Sequence, residues 1–301
     1  MAFLTMRDGR KLYYEEAGAG RPVVFLHGWK ASANVYAASG SLLAGNYRCI
    51  RYDHCGHLRS DAPAEGPDLG MLAEDLREVL VQLKLEKPVL VGWSMGGMTV
   101  LEYLRRYGCG ELAKLVLVDI GPVHMEDPAR LTEKLTLARA DFHEFMRQYY
   151  EMRVPGFLSL TRERQNAEVD RKLQGHHPAV LTALWQAMCS RDRRDVLPAI
   201  TCPTAIFHAG ILPVCDGETA RYYQTHIAGP TKTVCFEHNS HALPVGPPAL
   251  RSGAAGVYRV EKRLCDHGHC RTSSPIRTAV TVWISMTGAV QLASWRTYPS
   301  S

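Results

Sequence analysis

The chain has 301 residues, of which 46% are hydrophobic and 22% are charged, and its formal net charge is +5. This composition is typical of a globular protein with a sizeable core, and the length allows one large α/β domain with a subdomain. The charge is too modest and too scattered to predict binding to nucleic acid, and no apolar run is long enough for a membrane span.

Short apolar runs alternate with helical stripes through the first part of the chain. The pattern predicts a hairpin formed by residues 2–6 and 11–17, and buried strands at 22–26, 47–52, 88–91 and 115–118. Helices are predicted at 33–43, at 69–83 and from 95 to about 107. Strands that alternate with helices indicate right-handed crossovers, so we expect a mostly parallel sheet with helices on both faces.

The stretch Gly92-Trp93-Ser94-Met95-Gly96 lies between the strand at 88–91 and the helix that follows it. This G-x-S-x-G spacing is typical of a sharp strand-to-helix turn that exposes a nucleophilic serine at the helix N-terminus. Glycines two residues before and after Ser94 are needed because side chains there would collide across the turn. The alternative is an ordinary Gly-Ser turn, but the position between a strand and a helix favours the catalytic interpretation.

The segment 121–202 contains no run that is typical of a buried strand. Helices are predicted there at 131–152, 161–173 and 179–191; strands return at 203–208 and 231–236, with a helix at 218–226 between them. An insert of this length between two strands of one sheet is typical of a helical cap over a functional site. We therefore divide the chain into a core of residues 1–120 and 203–245 and a cap of residues 121–202.

Residues 246–301 form an atypical tail that is rich in Gly, Pro, Arg, Ser and Thr, with β-prone pieces at 280–284 and 290–292. The tail carries a Cys/His cluster between Cys265 and Cys270. Its two cysteines are spaced unlike those of common zinc sites and have no second pair, so we expect no metal and no cofactor. The nine cysteines form no paired framework and the N-terminus is charged too early for a signal peptide, so we expect reduced thiols and a cytoplasmic location.

Four further stretches are distinctive: His27-Gly28-Trp29 after a strand, the block Tyr52-Asp53-His54-Cys55-Gly56-His57-Leu58-Arg59-Ser60-Asp61, Val118-Asp119-Ile120-Gly121-Pro122, and His241-Ala242-Leu243. Together with the elbow at Ser94, they resemble the α/β-hydrolase superfamily over about residues 3–243. Within that superfamily the chain is similar to the branch of small serine esterases, cofactor-free haloperoxidases and perhydrolases. The resemblance implies an α/β-hydrolase sheet and an active site that acts on small carboxylic esters.

The chain departs from the family pattern in several places. The second block usually reads D-x-R-G-x-G-x-S, but Cys55 stands where Arg is usual and Leu58 where Gly is usual. Ser240 occupies the position before the last histidine, where relatives usually have Gly. Relatives also continue beyond that histidine into a helix that packs on the sheet, and nothing in 246–301 resembles such a helix.

A catalytic serine needs a base within hydrogen-bond reach, and the base needs a third group that fixes its tautomer. His241 is the candidate base because it follows the last core strand, where the family order of serine, acid and histidine places it. His238, three residues earlier, is the alternative base, but we interpret it as a loop histidine. For the acid, Asp119 closes a core strand, as in some similar esterases, whereas Asp216 begins a predicted helix and resembles an N-cap. We favour Asp119 and keep Asp216 as the alternative.

The oxyanion hole is expected to use the backbone N–H groups of Trp29 and Met95. The leading hypothesis is a serine carboxylesterase that acts on small-molecule esters, with no nucleic acid or membrane partner and an oligomeric state that the sequence leaves open. Perhydrolysis in the same site, cofactor-free oxygenation and a non-catalytic ligand-binding homologue are the alternatives. Dehalogenases and epoxide hydrolases of this fold carry Asp at the elbow, so Ser94 argues against both.

Overall fold

The computed structural model describes residues 2–154, 156–237, 239–245, 259–260 and 276–277. Eight of its strands form one sheet: β1 (Ala2–Thr5), β2 (Lys11–Ala17), β3 (Arg21–Leu26), β4 (Tyr47–Tyr52), β5 (Val89–Trp93), β6 (Lys114–Val118), β7 (Thr204–Ala209) and β8 (Thr231–Phe236). Their order is β1-β2-β4-β3-β5-β6-β7-β8. The pairs β1–β2 and β2–β4 are antiparallel and all others are parallel, which confirms the predicted mostly parallel sheet. Two short strands, Arg259–Val260 and Ile276–Arg277, pair with each other.

The helices of the described chain fill the crossovers between these strands. They are α1 (Ala37–Leu43), α2 (Leu69–Gln82), α3 (Met95–Tyr107), α4 (Pro128–Ala140), α5 (Phe142–Arg153), α6 (Arg162–Leu173), α7 (Pro178–Cys189) and α8 (Gly217–His226). Short 3-10 helices cover Ala33–Tyr36, Phe157–Ser159, Arg194–Ala199 and Leu243–Val245. None of these helices is long and apolar enough to cross a membrane.

The central strands β3, β5 and β6 are buried over nearly their whole length. Successive side chains of a strand point to opposite faces, so a strand that is covered on both faces must be apolar throughout. In β5, Leu90 belongs to one apolar cluster, whereas Val89 and Val91 belong to the cluster on the other face. The carboxyl end of β5 therefore lies in a rigid, fully covered part of the sheet, and Ser94 follows it directly.

Four helices, α4 to α7, lie between β6 and β7 and form a helical insert of residues 121–202. The single helix predicted at 131–152 is wrong, because the chain breaks at Asp141. This residue has an extended backbone (φ −148°, ψ 90°), and its carboxylate accepts the N–H of Glu144 at 2.9 Å, so it ends α4 and caps α5. The apolar spacing continues across the break, which is why periodicity alone joined the two helices.

The helical insert packs against loops at the carboxyl edge of the sheet. The Trp29 indole N–H donates to the carbonyl of Leu181 in α7 at 2.9 Å. In the loop after β4, a Cβ added at Gly56 would lie 2.5 Å from the Val180 side chain, so the backbone approaches α7 closely. Gly56 also has φ +66°, which favours glycine. These contacts fix the insert above the loops that surround Ser94.

Several sequence expectations fall outside the described residues. These are His238, the Cys/His cluster between Cys265 and Cys270, and the β-prone pieces at 280–284 and 290–292. Six cysteines of the described chain are free and buried: Cys49, Cys55, Cys109, Cys189, Cys202 and Cys215.

Candidate active site

Ser94 joins β5 to α3 in a strained turn. Its backbone has φ 53° and ψ −122°, a conformation that a non-glycine residue adopts at a cost of order 1–3 kcal/mol. A Cβ added at Gly92 would lie 2.6 Å from the Gly96 carbonyl oxygen, and one added at Gly96 would lie 2.2 Å from the Leu26 carbonyl oxygen. The two glycines of the G-x-S-x-G pattern are therefore required by backbone contacts, as their spacing predicts.

The structure brings Ser94, His241 and Asp119 together in one hydrogen-bonded chain. The Ser94 Oγ lies 3.1 Å from His241 Nε2, and His241 Nδ1 lies 2.7 Å from Asp119 Oδ2. The Trp93 indole N–H donates to the His241 carbonyl at 2.7 Å, which anchors the loop that carries the histidine. The His241 side chain is 28% exposed, whereas Asp119 is fully buried.

The Asp119 carboxylate is held by backbone amides as well as by His241. Oδ1 accepts the N–H groups of Ala209 and Cys215, each at 3.2 Å, and Oδ2 accepts that of Val214 at 3.1 Å. Burial alone would raise the pKa of this carboxyl, but the hydrogen bonds from His241 and the amides hold the pKa below its ordinary value. Asp119 is therefore a rigidly held anion at neutral pH.

Asp216, the alternative acid, lies elsewhere in the same region and caps α8. Its Oδ1 accepts the N–H of Thr219 at 2.7 Å, and this hydrogen bond lowers the pKa of the carboxyl. Within the described chain it makes no hydrogen bond to His241. The N-cap role that the sequence suggested accounts for this residue.

Met95 follows Ser94 directly, and Gly28, the residue before Trp29, lies against the serine. A Cβ added at Gly28 would lie 3.1 Å from the Ser94 Cβ, so the loop that leads to Trp29 passes directly against the serine. Met95 is the first residue of α3, and the first intrahelical bonds to the Ser94 carbonyl come from the N–H groups of Gly97 and Met98. The Met95 N–H lies before the first of these bonds. Like the first amides of any helix, it therefore has no carbonyl acceptor within the helix.

Side chains near the serine divide into packing and lining groups. Met95 is completely buried in the apolar cluster, and Trp93 is 8% exposed and packs at 5.3 Å between ring centroids against His241. The Trp29 ring instead reaches into the helical insert, 5.0 Å from the Trp185 ring and 5.5 Å from the Tyr149 ring. Of these three side chains, Trp29 is the one that faces the insert.

Sequence reasoning missed a cluster of buried histidines around the loop between His27 and Lys30. His27 Nε2 accepts the N–H of His54 at 2.9 Å, and His57 Nε2 accepts the N–H of Lys30 at 3.3 Å. The other ring nitrogens of His27 and His57 face the carbonyls of Gly28 and Cys55. Both rings are thereby fixed as neutral Nδ1–H tautomers. His27, His54 and His57 all belong to the motifs that carry the family resemblance, so the sequence displays the histidines themselves. It does not display the hydrogen bonds that they make.

Burial depresses the basicity of this cluster. It lowers the pKa of His27 and His54 well below the ordinary value and that of His57 to about 4, and the neighbouring histidines lower the first two further. His176 of the helical insert packs on His57 at 5.5 Å between ring centroids. The cluster therefore supports the loop between His27 and Lys30 in its neutral form.

The buried thiols are poor candidates for a nucleophile. Desolvation raises the pKa of Cys189 to about 12 and also raises the pKa of Cys55 and Cys215. Among the described residues, no group of three or more His, Cys, Asp or Glu side chains is arranged to hold a metal ion.

The two departures in the second block have local explanations. Leu58, at the usual glycine position, has φ 42°, so this chain keeps a left-handed turn without glycine. Cys55, at the usual arginine position, is buried beside Asp75. The guanidinium of Arg10 pairs with Asp75 of α2 through two hydrogen bonds of 2.7 and 3.1 Å, so a cation reaches that carboxylate from the turn between β1 and β2.

Comparison with known proteins agrees with this fold. The family described as alpha/beta hydrolase fold matches residues 21–199, and the chain belongs to that family. A non-heme haloperoxidase of Rhodococcus erythropolis is 30% identical over 244 residues, which cover 73% of this chain and 86% of the relative. The predicted resemblance to the esterase and haloperoxidase branch is thereby confirmed.

Two solved structures are similar to the chain as well. An esterase from Exiguobacterium antarcticum has a TM-score of 0.67 and 30% identity and covers 83% of this chain and 95% of its own. A bromoperoxidase from Bacillus anthracis has a TM-score of 0.68 and 25% identity, with coverages of 80% and 93%. Esterases and haloperoxidases thus both occur among the relatives.

Proposed function

We propose that the protein is a serine carboxylesterase that hydrolyses small carboxylic esters through an acyl-enzyme. The single observation that carries the proposal is the continuous chain of contacts from Ser94 Oγ through both ring nitrogens of His241 to Asp119. A serine hydroxyl becomes a useful nucleophile when a positioned base accepts its proton, and this arrangement supplies the base and its orienting carboxylate.

In the proposed reaction, Ser94 Oγ attacks the ester carbonyl carbon while His241 Nε2 takes its proton. The imidazolium that results is stabilised by Asp119, whose buried carboxylate accepts a hydrogen bond from the Nδ1–H while the proton stays on the ring. The carbonyl oxygen gains negative charge, which the backbone N–H groups of Trp29 and Met95 stabilise. His241 then donates its proton to the leaving alcohol, and water, activated in the same way, releases the acid from Ser94.

The helical insert of residues 121–202 is proposed as a cap that selects the substrate. Trp29 supports this assignment because its backbone belongs to the oxyanion loop while its ring packs on Trp185 of the insert. A substrate whose carbonyl lies at Ser94 would therefore extend towards side chains of the insert. The remaining residues, 1–120 and 203–245, form the proposed catalytic core.

Perhydrolysis is a second candidate function because the names of two relatives are haloperoxidase and bromoperoxidase. In this reaction hydrogen peroxide replaces water as the second nucleophile and the product is a peracid. The chemistry needs the same Ser94 acyl-enzyme and no additional protein group. A non-catalytic binding homologue is the alternative in which the pocket remains and turnover is absent.

A fluorophosphonate probe combined with hydrolysis of short p-nitrophenyl esters tests the proposal. We expect the wild-type chain to be labelled and Ser94→Ala to lose labelling, with a rate loss on the order of a million-fold. Ser190→Ala is the matched control, because Ser190 is exposed at the end of α7 and bonds only its own helix turn at Ala187. Peracid formation from acetate and peroxide then tests the second candidate. Labelling that survives Ser94→Ala would refute the proposed nucleophile.

A further inference from the structure

A cavity of about 230 Å³ opens within the helical insert, among α4, α5 and α7. Phe145, Tyr149 and Trp185 line it. The centroid of the Trp185 ring lies 5.8 Å from that of Phe145 and 5.6 Å from that of Tyr149. The Trp29 ring packs against the same group. Because the Trp29 backbone follows Gly28 beside Ser94, these ring contacts connect the cavity lining to the loop that lies against the serine.

The charge of the cavity lining is predominantly positive. Arg130, Lys134 and Arg153 line it together with one carboxylate, Glu126. Lys134 is ion-paired with Glu126, so these two charges compensate each other. Neither the Arg130 guanidinium nor the Arg153 guanidinium takes part in an ion pair or hydrogen bond within the part of the chain that the structure describes. Both arginines are largely exposed, which places two uncompensated cations on the solvent side of the cavity.

A buried donor in the lining also lacks an acceptor. Trp185 is 6% exposed, and its indole Nε1 has no hydrogen-bond partner among the described residues. An indole nitrogen only donates, so this group is satisfied by a ligand with an acceptor oxygen or by water. One group opposes the binding of an anion: Glu126 Oε2 is buried without a hydrogen-bond partner among the described residues, and it would repel an anion placed against it. The Trp185 indole and the two arginines together outnumber this one buried, unpaired carboxylate oxygen.

His124 adds no competing charge. It lines the cavity, and burial together with the nearby Arg153 lowers the pKa of its imidazole below the ordinary value. The residue is therefore neutral at neutral pH, and its ring lies 6.3 Å from the Trp185 ring. The field in the cavity is set by the two arginines.

From these observations we infer that the cavity binds an anionic group of the ester substrate, so that the preferred substrates carry a carboxylate remote from the scissile bond. The aromatic side chains would hold the intervening carbon chain, and Arg130 and Arg153 would hold the carboxylate. This inference rests on the proposed esterase function and deepens it. Guanidinium groups suit this role because their planar donors match a carboxylate in two parallel hydrogen bonds.

The test compares matched substrates. Monoethyl esters of diacids with about five to eight carbons are paired with ethyl esters in which a terminal amide replaces the carboxylate, and acid release is followed in a pH-stat. Exposed ion pairs contribute modestly, so we expect kcat/KM to favour the carboxylate of the best-fitting length by about tenfold. Raising the salt concentration from about 0.05 M to about 0.5 M should reduce that preference, because the Debye length shortens several-fold.

Substitutions assign the preference to the cavity. Arg153→Gln and Arg130→Gln should each reduce the ratio of charged to uncharged kcat/KM to about threefold or less, and Arg153→Glu should reverse it. Arg139→Gln is the matched control, because this arginine lies on the same helix as Arg130 but bonds Gln186 outside the cavity lining. The control should keep the full ratio.

A binding measurement separates this inference from the esterase proposal. Calorimetry with Ser94→Ala should show the charged ester binding about tenfold more tightly than its amide, whether or not the wild type turns either over. Equal binding and equal kcat/KM of the two esters would overturn the anion site while leaving the esterase proposal intact. A preference for esters that carry a cationic group would also overturn it and would point to Glu126 Oε2 instead.

Discussion

Replacing Asp119 by Asn is the sharpest test of the proposed catalytic chain. The side chain keeps its shape and size, but one carboxylate oxygen becomes an NH2 group. The native carboxylate accepts four hydrogen bonds, three from amides and one from His241. An amide oxygen placed at Oδ1 preserves the bonds from Ala209 and Cys215, and its NH2 group then faces Val214 N–H and His241 Nδ1.

This orientation changes the tautomer of the imidazole. An NH2 donor 2.7 Å from Nδ1 favours an unprotonated Nδ1, so the proton moves to Nε2, which then has no free lone pair for the Ser94 hydroxyl. A change of this kind lowers kcat by about ten-thousand-fold, or about 5 kcal/mol of transition-state stabilisation. The unsatisfied contact with the Val214 N–H adds a stability cost of about 1–3 kcal/mol.

The assay is steady-state hydrolysis of a short p-nitrophenyl ester, with circular dichroism as the check that Asp119→Asn folds. Asp216→Asn is the matched control; since Asp216 caps α8 and Asn is an equally good N-cap, we expect little change in either stability or kcat. A tenth or more of wild-type activity in folded Asp119→Asn would refute this reasoning. A large loss in Asp216→Asn alone would move the acid to the alternative position.

Three further outcomes are expected. Lys84 follows α2 with φ 52° and completes its C-terminal hydrogen bonds, so Lys84→Gly should stabilise the protein by about 0.5–1 kcal/mol in thermal unfolding, and a loss of stability would contradict this. Phe145→Ala and Trp185→Ala should each shift the acyl-length preference on p-nitrophenyl esters. Phe142 is buried outside the cavity lining, so Phe142→Ala should change mainly stability. Equal selectivity in all three variants would show that the cavity does not bind the acyl group. Lowering the pH from 7 to 5 should destabilise the fold by about 2 kcal/mol through His57 alone.

The sheet could be predicted from the sequence because its signals are local. Buried parallel strands such as β5 are continuous apolar runs, and the helices between them show clear stripes. Ser94 could be found for a related reason, since its strained turn requires glycines at fixed spacing within five residues. Local spacing alone could not identify His241 and Asp119. Their positions after core strands came from the family pattern. The two residues could be expected to meet because the carboxyl ends of parallel strands lie at one edge of the sheet.

Other parts of the site depend on tertiary packing that the sequence does not display. The break at Asp141 keeps the helical apolar spacing on both sides, so the periodicity is unchanged. Trp29 meets Trp185 across more than 150 residues, and no local pattern pairs them. The cluster of buried histidines joins the ends of β3 and β4 to the helical insert in the same way.

That histidine cluster links the stability of the loop between His27 and Lys30 to pH. Burial lowers the pKa of His57 from 6.5 to about 4, so the group contributes stability above pH 6.5 that is lost as the pH falls towards 4, because the unfolded chain binds a proton that the folded chain excludes. At pH 5 the difference is about 1.5 pH units, or about 2 kcal/mol. In denaturant titrations, His57→Asn should show a smaller loss between pH 7 and 5 than wild type, whereas His226→Asn, at an exposed position on α8, should keep the wild-type loss. If both variants lose as much stability as the wild type, then His57 can be protonated in the folded protein. The inference that a neutral His57 supports the loop between His27 and Lys30 would then be wrong.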